Sequence, residues 1–302
     1  MFGSKQYYGL VAGLREYALE ADKKGFDAKS IVEEVRGELS KGDARVLELF
    51  YGWYDIANIV SIRAGRSQFN ELGNFTREQL GAELERPGDL PAWMAKVVDA
   101  YRDPENADYE DVDTSQRFER ALFEAYYAQC ARSKNRFMRE WNRFDRNLRN
   151  VIAAYTARSK DMPAVDSLVG SDDIVLSLTR SSAADWGLKG ELDYVDNLLG
   201  ALGDQANILE KERTIDLIRW DKADELTEFD DFNTDVVLAY LAKVNIIQRW
   251  MSLDPETGRR MYEKLLASMS ADDKIRGRQS VPGDPNDGSG GTDTDSTILH
   301  NE

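Results

Sequence analysis

The fold of this chain is decided by the stretch 43–66, which reads DARVLELFYGWYDIANIVSIRAGR. Its apolar residues recur at intervals of three or four: Val46, Leu49, Phe50, Trp53, Ile56, Ile59 and Val60. This spacing places them on one face of an α-helix. A comparable pattern fills residues 115–158, as two helices or as one helix with a bend, and no alternating apolar run predicts a strand. The sequence therefore predicts an all-α protein.

Two short motifs predict where helices begin. Ser30 is followed three residues later by Glu33, and Thr76 is followed by Gln79 at the same spacing. A serine or threonine with an acidic or amide residue three positions on is typical of a capping box, in which side chains bind the free N–H groups of the first turn. We therefore expect helices to start near residues 30 and 76.

A short motif recurs three times along the chain. An asparagine followed by two branched apolar residues occurs at Asn58, Asn150 and Asn245, with separations of 92 (58 to 150) and 95 (150 to 245) residues. Asp55 and Asn147 each lie three residues before the first two asparagines. Asparagine is a poor residue for a helix interior, because its side chain competes for backbone hydrogen bonds. We expect these side chains to make polar contacts between helices or to line a polar lumen.

This spacing predicts three pseudo-repeated helical units within one compact body, 1–278. Their bounds are 1–100, 101–200 and 201–278. From about residue 280 glycine, aspartate, serine and threonine dominate, and we expect 279–302 to be a disordered acidic tail that is dispensable for folding. Repetition of one helical unit is typical of a scaffold with a defined shape.

Composition excludes several kinds of activity. The net charge of −16 argues against nucleic-acid binding, which needs basic surface. Only one histidine occurs, His300, so the chain offers no Ser-His or Cys-His pair and no histidine zinc site. The single cysteine, Cys130, lies in an apolar helical pattern and is expected to be a buried, inert thiol. We expect neither catalysis nor a cofactor or metal.

No apolar run is long enough to span a membrane, for which about twenty residues are needed. The first residues also lack the apolar core of a signal peptide. These two features predict a cytoplasmic protein that does not insert directly into a membrane.

Basic residues form a stripe along the helix predicted from residue 132 to 155. At about 100° per residue, one narrow face carries Arg132, Arg136, Arg139, Arg143 and Arg146, and apolar residues fill the opposite face. One interpretation is a solvated face balanced by acidic neighbours. The other is a docking face for an acidic partner, since the guanidinium group pairs well with carboxylates.

An acidic run near residue 230 invites a metal hypothesis. Asp230, Asp231 and Asp235 spell DDxxxD, a pattern that binds magnesium diphosphate in all-helical isoprenoid synthases. A second carboxylate motif across a cavity is missing. The alternative is an acidic loop in which Asp231 or Asn233 caps the following helix.

The repeated residues carry a resemblance to a known family. They are the stretches YDIANI at 54–59, ERAL at 119–122, NLRNV at 147–151, ERTID at 212–216 and YLAKVNII at 240–247. In them the chain resembles, as a divergent bacterial member, the central-stalk socket family of the V/A-type rotary ATPases, known as the C subunit in archaea and bacteria and as the d subunit in eukaryotes. It departs from the family pattern at Phe123, where the second repeat usually has aspartate.

The resemblance implies a funnel of three helical units in the central stalk of an ATP synthase-like complex. Such a protein is not itself catalytic; it couples the rotating shaft to the membrane rotor ring during proton or sodium transport. The resemblance implies one copy per complex, a monomer in isolation, and a cytoplasmic position peripheral to the membrane. The alternatives are a free-standing helical adaptor or regulator and the magnesium-dependent enzyme described above.

Overall fold

The computed structural model describes residues 5–17, 25–102, 114–203 and 208–252, and in these ranges the chain is helical without strands. The all-α prediction is confirmed. The helices are α1 (Tyr8–Gly13), α2 (Ala28–Glu38), α3 (Lys41–Arg63), α4 (Arg77–Glu85), α5 (Ala92–Arg102), α6 (Thr114–Ala131), α7 (Arg136–Ser159), α8 (Asp173–Arg180), α9 (Val195–Gly203), α10 (Ile208–Glu225) and α11 (Thr234–Ser252), with a short 3₁₀ helix at Val165–Ser167.

Short polar side chains begin several of these helices. The predicted capping box at Thr76 and Gln79 is present at the start of α4, with both reciprocal hydrogen bonds formed. The prediction at Ser30 is wrong, because Asp27 caps α2 three residues earlier. The Ser30 hydroxyl instead donates to the Asp27 carboxylate at 2.7 Å, so the serine supports the cap from inside the helix.

The long apolar pattern at 115–158 forms two helices. α6 ends at Ala131 and α7 begins at Arg136. Asn135 caps α7 by accepting a hydrogen bond from the Met138 N–H at 2.8 Å. Arg132 therefore lies in the connection between the helices, and the prediction that it belongs to the stripe on α7 is wrong.

The core forms where the long helices pack on their neighbours. α3 packs against α4 and α6, and α6 in turn packs against α5 and α7. Tyr51 and Ile56 of α3 and Leu148 and Val151 of α7 are completely buried. Between α3 and α6, the Tyr126 hydroxyl donates to the Phe50 carbonyl at 3.4 Å.

Helix order repeats along the chain. α2 precedes α3 and α6 precedes α7; each long helix is then followed by two shorter ones, α4 and α5 in the first case and α8 and α9 in the second. α5 packs against α6, and α9 packs against α10. The last helix of each group therefore packs against the first helix of the next group. The funnel arrangement of three units stays a prediction.

The described residues up to Trp250 belong to one compact unit. Residues 253–302 lie outside the described part of the chain. The predicted acidic tail, 279–302, lies there too. Within the described part of the chain, no helix is both long and apolar enough to cross a membrane.

Candidate functional site

Asn58 and Asn150 make the same pair of hydrogen bonds. The Asn58 Nδ2 donates to the Asn70 carbonyl at 2.9 Å, and the Asn70 N–H donates back to the Asn58 Oδ1 at 2.7 Å. The Asn150 side chain holds Val169 in the same way, with both distances 2.9 Å. We call these two arrangements asparagine clamps. Each clamp ties a long helix to the loop that follows it.

An amide side chain suits this position because it has one donor end and one acceptor end, as a peptide group has. Both asparagines are only 2% exposed. The clamped residues Asn70 and Val169 are partly exposed, and the buried amide gives their N–H and C=O groups a partner within the chain. The contacts are between helix and loop, whereas the sequence predicted contacts between helices or a polar lumen.

Asp55 extends the first clamp by one helical turn. Its carboxylate accepts hydrogen bonds from the Asn74 N–H and the Asn74 Nδ2, both at 2.7 Å, and from the Phe75 N–H at 3.3 Å. The loop approaches so closely at Gly73 that an added Cβ would lie 2.6 Å from the Asp55 Oδ1. Burial raises the pKa of the Asp55 carboxyl from 3.8 to about 6, against the opposing effect of these hydrogen bonds.

A cleft of about 630 Å³ opens beside Asp55 and Asn74. Arg36 of α2 donates to the Asn74 Oδ1 at 3.2 Å, and the Asn74 Nδ2 donates to the Glu48 carbonyl at 2.8 Å. Asn74 therefore joins α2, α3 and the loop in one polar contact. Arg45 and Glu48 give the cleft wall charges of both signs.

The other two predicted amides do not form clamps. Asn147 accepts a hydrogen bond from the neighbouring Arg146 at 3.2 Å. Asn245 accepts one from the Tyr51 hydroxyl at 3.3 Å and so links α11 to α3. The chain that follows α11 lies outside the described residues, so the described part of the chain contains two clamps.

Three of the predicted stripe arginines have internal partners. Arg136 forms ion pairs with Asp230 and Asp235 and donates to the Leu226 carbonyl at 2.6 Å. Arg146 pairs with Asp172, the residue that caps α8.

Arg139 donates to the carbonyls of Ser133 and Asn135 at 2.8 and 3.2 Å, and thereby fastens the connection between α6 and α7. The docking hypothesis assumes free guanidinium groups, above all at Arg139 and Arg143, and Arg136, Arg139 and Arg146 are engaged within the chain. Arg143 is well exposed, with one pair to Glu140 three residues away on the same helix, and Arg132 is exposed.

The acidic residues near position 230 bind an arginine side chain of the same protein. Asp230 and Asp235 both bind Arg136, and Asp235 also accepts a hydrogen bond from the Asn135 Nδ2 at 2.5 Å. The Asn233 Oδ1 accepts from the Val236 N–H at 3.2 Å, which matches the capping interpretation. No group of three potential metal ligands occurs among the described residues.

An ion-pair network around a buried carboxylate joins α7 and α10 and was not predicted. The Asp145 carboxylate is 6% exposed and accepts from Arg149 at 2.7 Å, Arg219 at 3.3 Å and the Tyr127 hydroxyl at 3.0 Å. Burial would raise the pKa of Asp145, but the guanidinium groups of Arg149 and Arg219 outweigh burial and the pKa is lowered. Arg149 also lies 4.5 Å from the centre of the Trp53 ring on α3.

The network continues to α11 through Asp216, which is 1% exposed. Its carboxylate accepts from Arg219 at 2.9 Å and from the Trp250 Nε1 at 2.9 Å, and it pairs with Arg249. Arg249 also pairs with Glu212, one turn before Asp216 on α10. Both acidic residues of the 212–216 stretch therefore bind the same arginine.

Sequence reasoning singled out the stretch 212–216 but not its partner. The acidic residues of the contact lie in the 212–216 stretch itself. Their partner, Arg249, lies four residues after Asn245 of the asparagine motif. Their pairing became visible only in the folded chain, because the partners are 33 and 37 residues apart.

Cys130 is fully buried, as predicted. Burial raises the pKa of its thiol to about 12, so the thiolate needed for a nucleophile is not formed near neutral pH.

Comparison with known proteins assigns the chain to a family. Residues 4–273 match the family described as "Protein of unknown function (DUF2764)". The match covers most of the 302 residues, and the chain belongs to this family. No curated protein and no solved structure matches the chain.

The clamps predict a specific pattern of stability losses. Replacing Asn58 or Asn150 by alanine removes two hydrogen bonds from partly buried backbone groups, and each change should lower the free energy of unfolding by about 1 to 3 kcal/mol. Asn245→Ala removes one longer contact and should cost about 1 kcal/mol or less. Chemical denaturation measures these differences, with Asn197→Ala on the exposed side of α9 as the neutral control.

Hydrogen exchange identifies the clamp directly. In Asn150→Ala the Val169 amide should exchange faster, while the Asn70 amide keeps its protection, and Asn58→Ala should show the reverse. Equal protection of Val169 in the wild type and in Asn150→Ala would contradict the clamp.

Asp55 predicts a pH dependence of stability. Its folded-state pKa of about 6 lies above the value of 3.8 for an accessible carboxyl, so the folded protein binds the proton more tightly. The stabilising effect of that proton is fully present below about pH 4 and is lost as the pH rises through about 6. At about 1.4 kcal/mol per pKa unit, the loss amounts to about 3 kcal/mol.

Urea denaturation at a series of pH values measures this loss. The decline between about pH 4 and pH 6.5 should be missing from Asp55→Asn and present in Asp89→Asn, an exposed aspartate beside the same cleft. A carbon-13 titration that places the Asp55 midpoint at or below about pH 4, where an accessible carboxyl titrates, would refute the assignment.

Proposed function

We propose that this protein is a non-catalytic central-stalk component of a V/A-type rotary ATPase, a socket between the rotating shaft and the membrane rotor ring. The observation that carries the proposal is the pair of asparagine clamps on α3 and α7. Asn58 and Asn150 are 92 residues apart, and each holds one loop residue through the same two hydrogen bonds. Repetition of an all-helical unit at this spacing is what the resemblance to the central-stalk socket family implies.

The environment of the polar side chains supports a mechanical role. The carboxylates of Asp145 and Asp216 are paired with arginines, and the Asp55 carboxylate accepts hydrogen bonds from loop N–H groups. Groups held in this way stiffen contacts between elements. A component that transmits torque needs such stiffness, and it needs no nucleophile or general base.

The docking hypothesis for the basic face now applies to two arginines. Arg132 is exposed, and Arg143 is exposed and pairs with Glu140 on its own helix, whereas Arg136, Arg139 and Arg146 bind groups outside α7. Exposed arginines attract acidic partners over a distance of about 10 Å at about 0.1 M salt. In the proposed complex they guide the protein onto acidic groups of the shaft or the ring, with one copy in each complex at the cytoplasmic side of the membrane.

The magnesium-dependent enzyme is less well supported. Two of the three aspartates that it requires, Asp230 and Asp235, bind Arg136. A metal at this site would have to displace a guanidinium group that also holds the Leu226 carbonyl. A free-standing adaptor would have the same helices and the same clamps, and it differs from the proposal only in its partners.

Reconstitution tests the proposal. The full-length protein is mixed with recombinant shaft proteins and with the detergent-solubilised rotor ring of the same organism, and native mass spectrometry counts the copies bound. We expect one copy to join each complex. Failure to bind either component would leave the adaptor as the better explanation.

Charge reversal tests the docking face within the same assay. Arg132→Glu with Arg143→Glu should weaken association several-fold at low salt and flatten its salt dependence, because steering by exposed charges acts on the association rate. Arg86→Glu with Arg180→Glu changes the net charge equally at two other exposed arginines and serves as the control. Equal loss in both double variants would show a general charge effect in place of a docking face.

A further inference from the structure

The cleft of about 630 Å³ beside α3 is lined by two loops that buried carboxylates hold in place. Asp55, which is 1% exposed, accepts hydrogen bonds from the N–H groups of Asn74 and Phe75 in one loop. Glu83, which is 8% exposed, accepts them from the N–H groups of residues 88, 89 and 90 in the other, at 2.8, 3.0 and 3.2 Å. The cleft is therefore preformed, and a ligand would not have to order its walls.

Gly52 of α3 lines the same cleft. A glycine inside a helix is less favourable than alanine, because it has more backbone freedom to lose on folding. An added Cβ would lie 3.6 Å from the Trp93 ring and 3.8 Å from the Tyr126 ring, which are ordinary van der Waals distances. The packing of the chain would thus accept alanine here. The glycine instead leaves space between α3 and Trp93, as a ligand held against the helix requires.

The cleft carries one unpaired positive charge and one unpaired negative charge. Arg36 lies 3.9 Å from Glu48 and also donates to Asn74, so these three groups satisfy one another. Arg45 on α3 and Asp89 on the loop before α5 are exposed, and their side chains have no partner among the described residues. A ligand that satisfies both must itself carry a negative and a positive group.

Two further side chains indicate the middle of such a ligand. The Trp93 ring is partly exposed in the cleft and is held from behind by Tyr126, at 5.9 Å between ring centroids. It offers a flat apolar surface to an apolar or aromatic group. The Gln129 side chain also lines the cleft and has no hydrogen-bond partner in the described part of the chain. Its one donor end and one acceptor end match those of a peptide group.

The cleft extends along α3, which sets a minimum length for the ligand. Arg45 precedes Gly52 by seven residues, or about 10 Å along the helix axis. The ammonium and carboxylate of a free amino acid are separated by a single Cα. Two or three residues in an extended chain span about 7 to 11 Å. A short peptide therefore fits the distance better than a free amino acid does.

We propose that this cleft binds a zwitterionic peptide of two or three residues with an aromatic or large aliphatic side chain. The peptide carboxylate pairs with Arg45, the ammonium group pairs with Asp89, and a peptide group bonds to Gln129. The apolar side chain lies between Trp93 and the backbone at Gly52. Such a ligand has no net charge, so the net charge of −16 does not repel it as it would an anion. This site is independent of any role in a rotary ATPase.

Isothermal titration of the full-length protein with the dipeptide alanyl-phenylalanine tests the proposal. We expect a dissociation constant below about 1 mM. The N-acetylated dipeptide lacks the ammonium group and the C-amidated dipeptide lacks the carboxylate, so each should bind at least about threefold more weakly. Free phenylalanine should also bind more weakly, because it cannot reach both charges. Absence of binding at about 5 mM dipeptide, or equal binding of all four compounds, would refute the site.

Charge-neutral variants assign each end of the peptide. Arg45→Gln should weaken the unmodified dipeptide about as much as amidation does, and it should no longer distinguish the amidated form. Asp89→Asn should behave in the same way toward acetylation. Arg180→Gln, at an exposed arginine outside the cleft, is the control and should bind like the wild type. Equal losses in Arg45→Gln and in this control would contradict the assignment.

Gly52→Ala separates binding from folding. The midpoint of thermal unfolding should be equal to that of the wild type or higher, since alanine favours the helix. The same variant should bind the dipeptide several-fold more weakly, because the added methyl group occupies space beside Trp93. Unchanged affinity would show that no ligand lies against α3 at this point. A lower midpoint would show that the chain itself requires the glycine, and either result would overturn this placement of the peptide.

Discussion

The ion-pair network between α7, α10 and α11 is the constraint on which the packing of the later helices depends. Asp145 and Asp216 are withdrawn from water, and a buried carboxylate without a partner costs several kcal/mol. Arg219 lies between them and pairs with both, and Arg249 closes the network from α11. A shift of α10 by one turn, about 5.4 Å, would break the contact of Arg219 with Asp145 on α7 and that of Asp216 with Arg249 on α11. The network therefore fixes the register of three helices, which apolar packing alone would hold less specifically.

The asparagine clamps act at a different level, between each long helix and its own loop. Asn58 and Asn150 satisfy both backbone groups of one loop residue, so they position the loop that leads into α4 or α8. The same pair of hydrogen bonds follows both α3 and α7. The local loop geometry is therefore repeated although the surrounding sequences differ. Rigid loops on rigid helices are what a socket between rotating parts requires, and this links the clamps to the stalk proposal.

Much of the helical architecture could be predicted, because the spacing of apolar residues reports the buried face directly. The α3 pattern and the Thr76 capping box are local signals and were found in place. Contacts between distant residues could not be predicted. The arginine stripe looked free because Asp172 and Asp230, which pair with Arg146 and Arg136, are 26 and 94 residues away along the chain. The asparagine motif identified Asn58 and Asn150 correctly, but their partners lie in loops and not on other helices. Loops have no periodic sequence pattern from which such a contact could be predicted.

The stalk proposal places this chain as the socket between the shaft and the rotor ring. Electron cryo-microscopy of the rotary ATPase purified intact from the source organism tests it most directly. We expect one copy of this chain between the ring and the foot of the shaft, with α3 and α7 recognisable by the loops clamped at Asn58 and Asn150. A complete complex in which a different protein fills that position would contradict it.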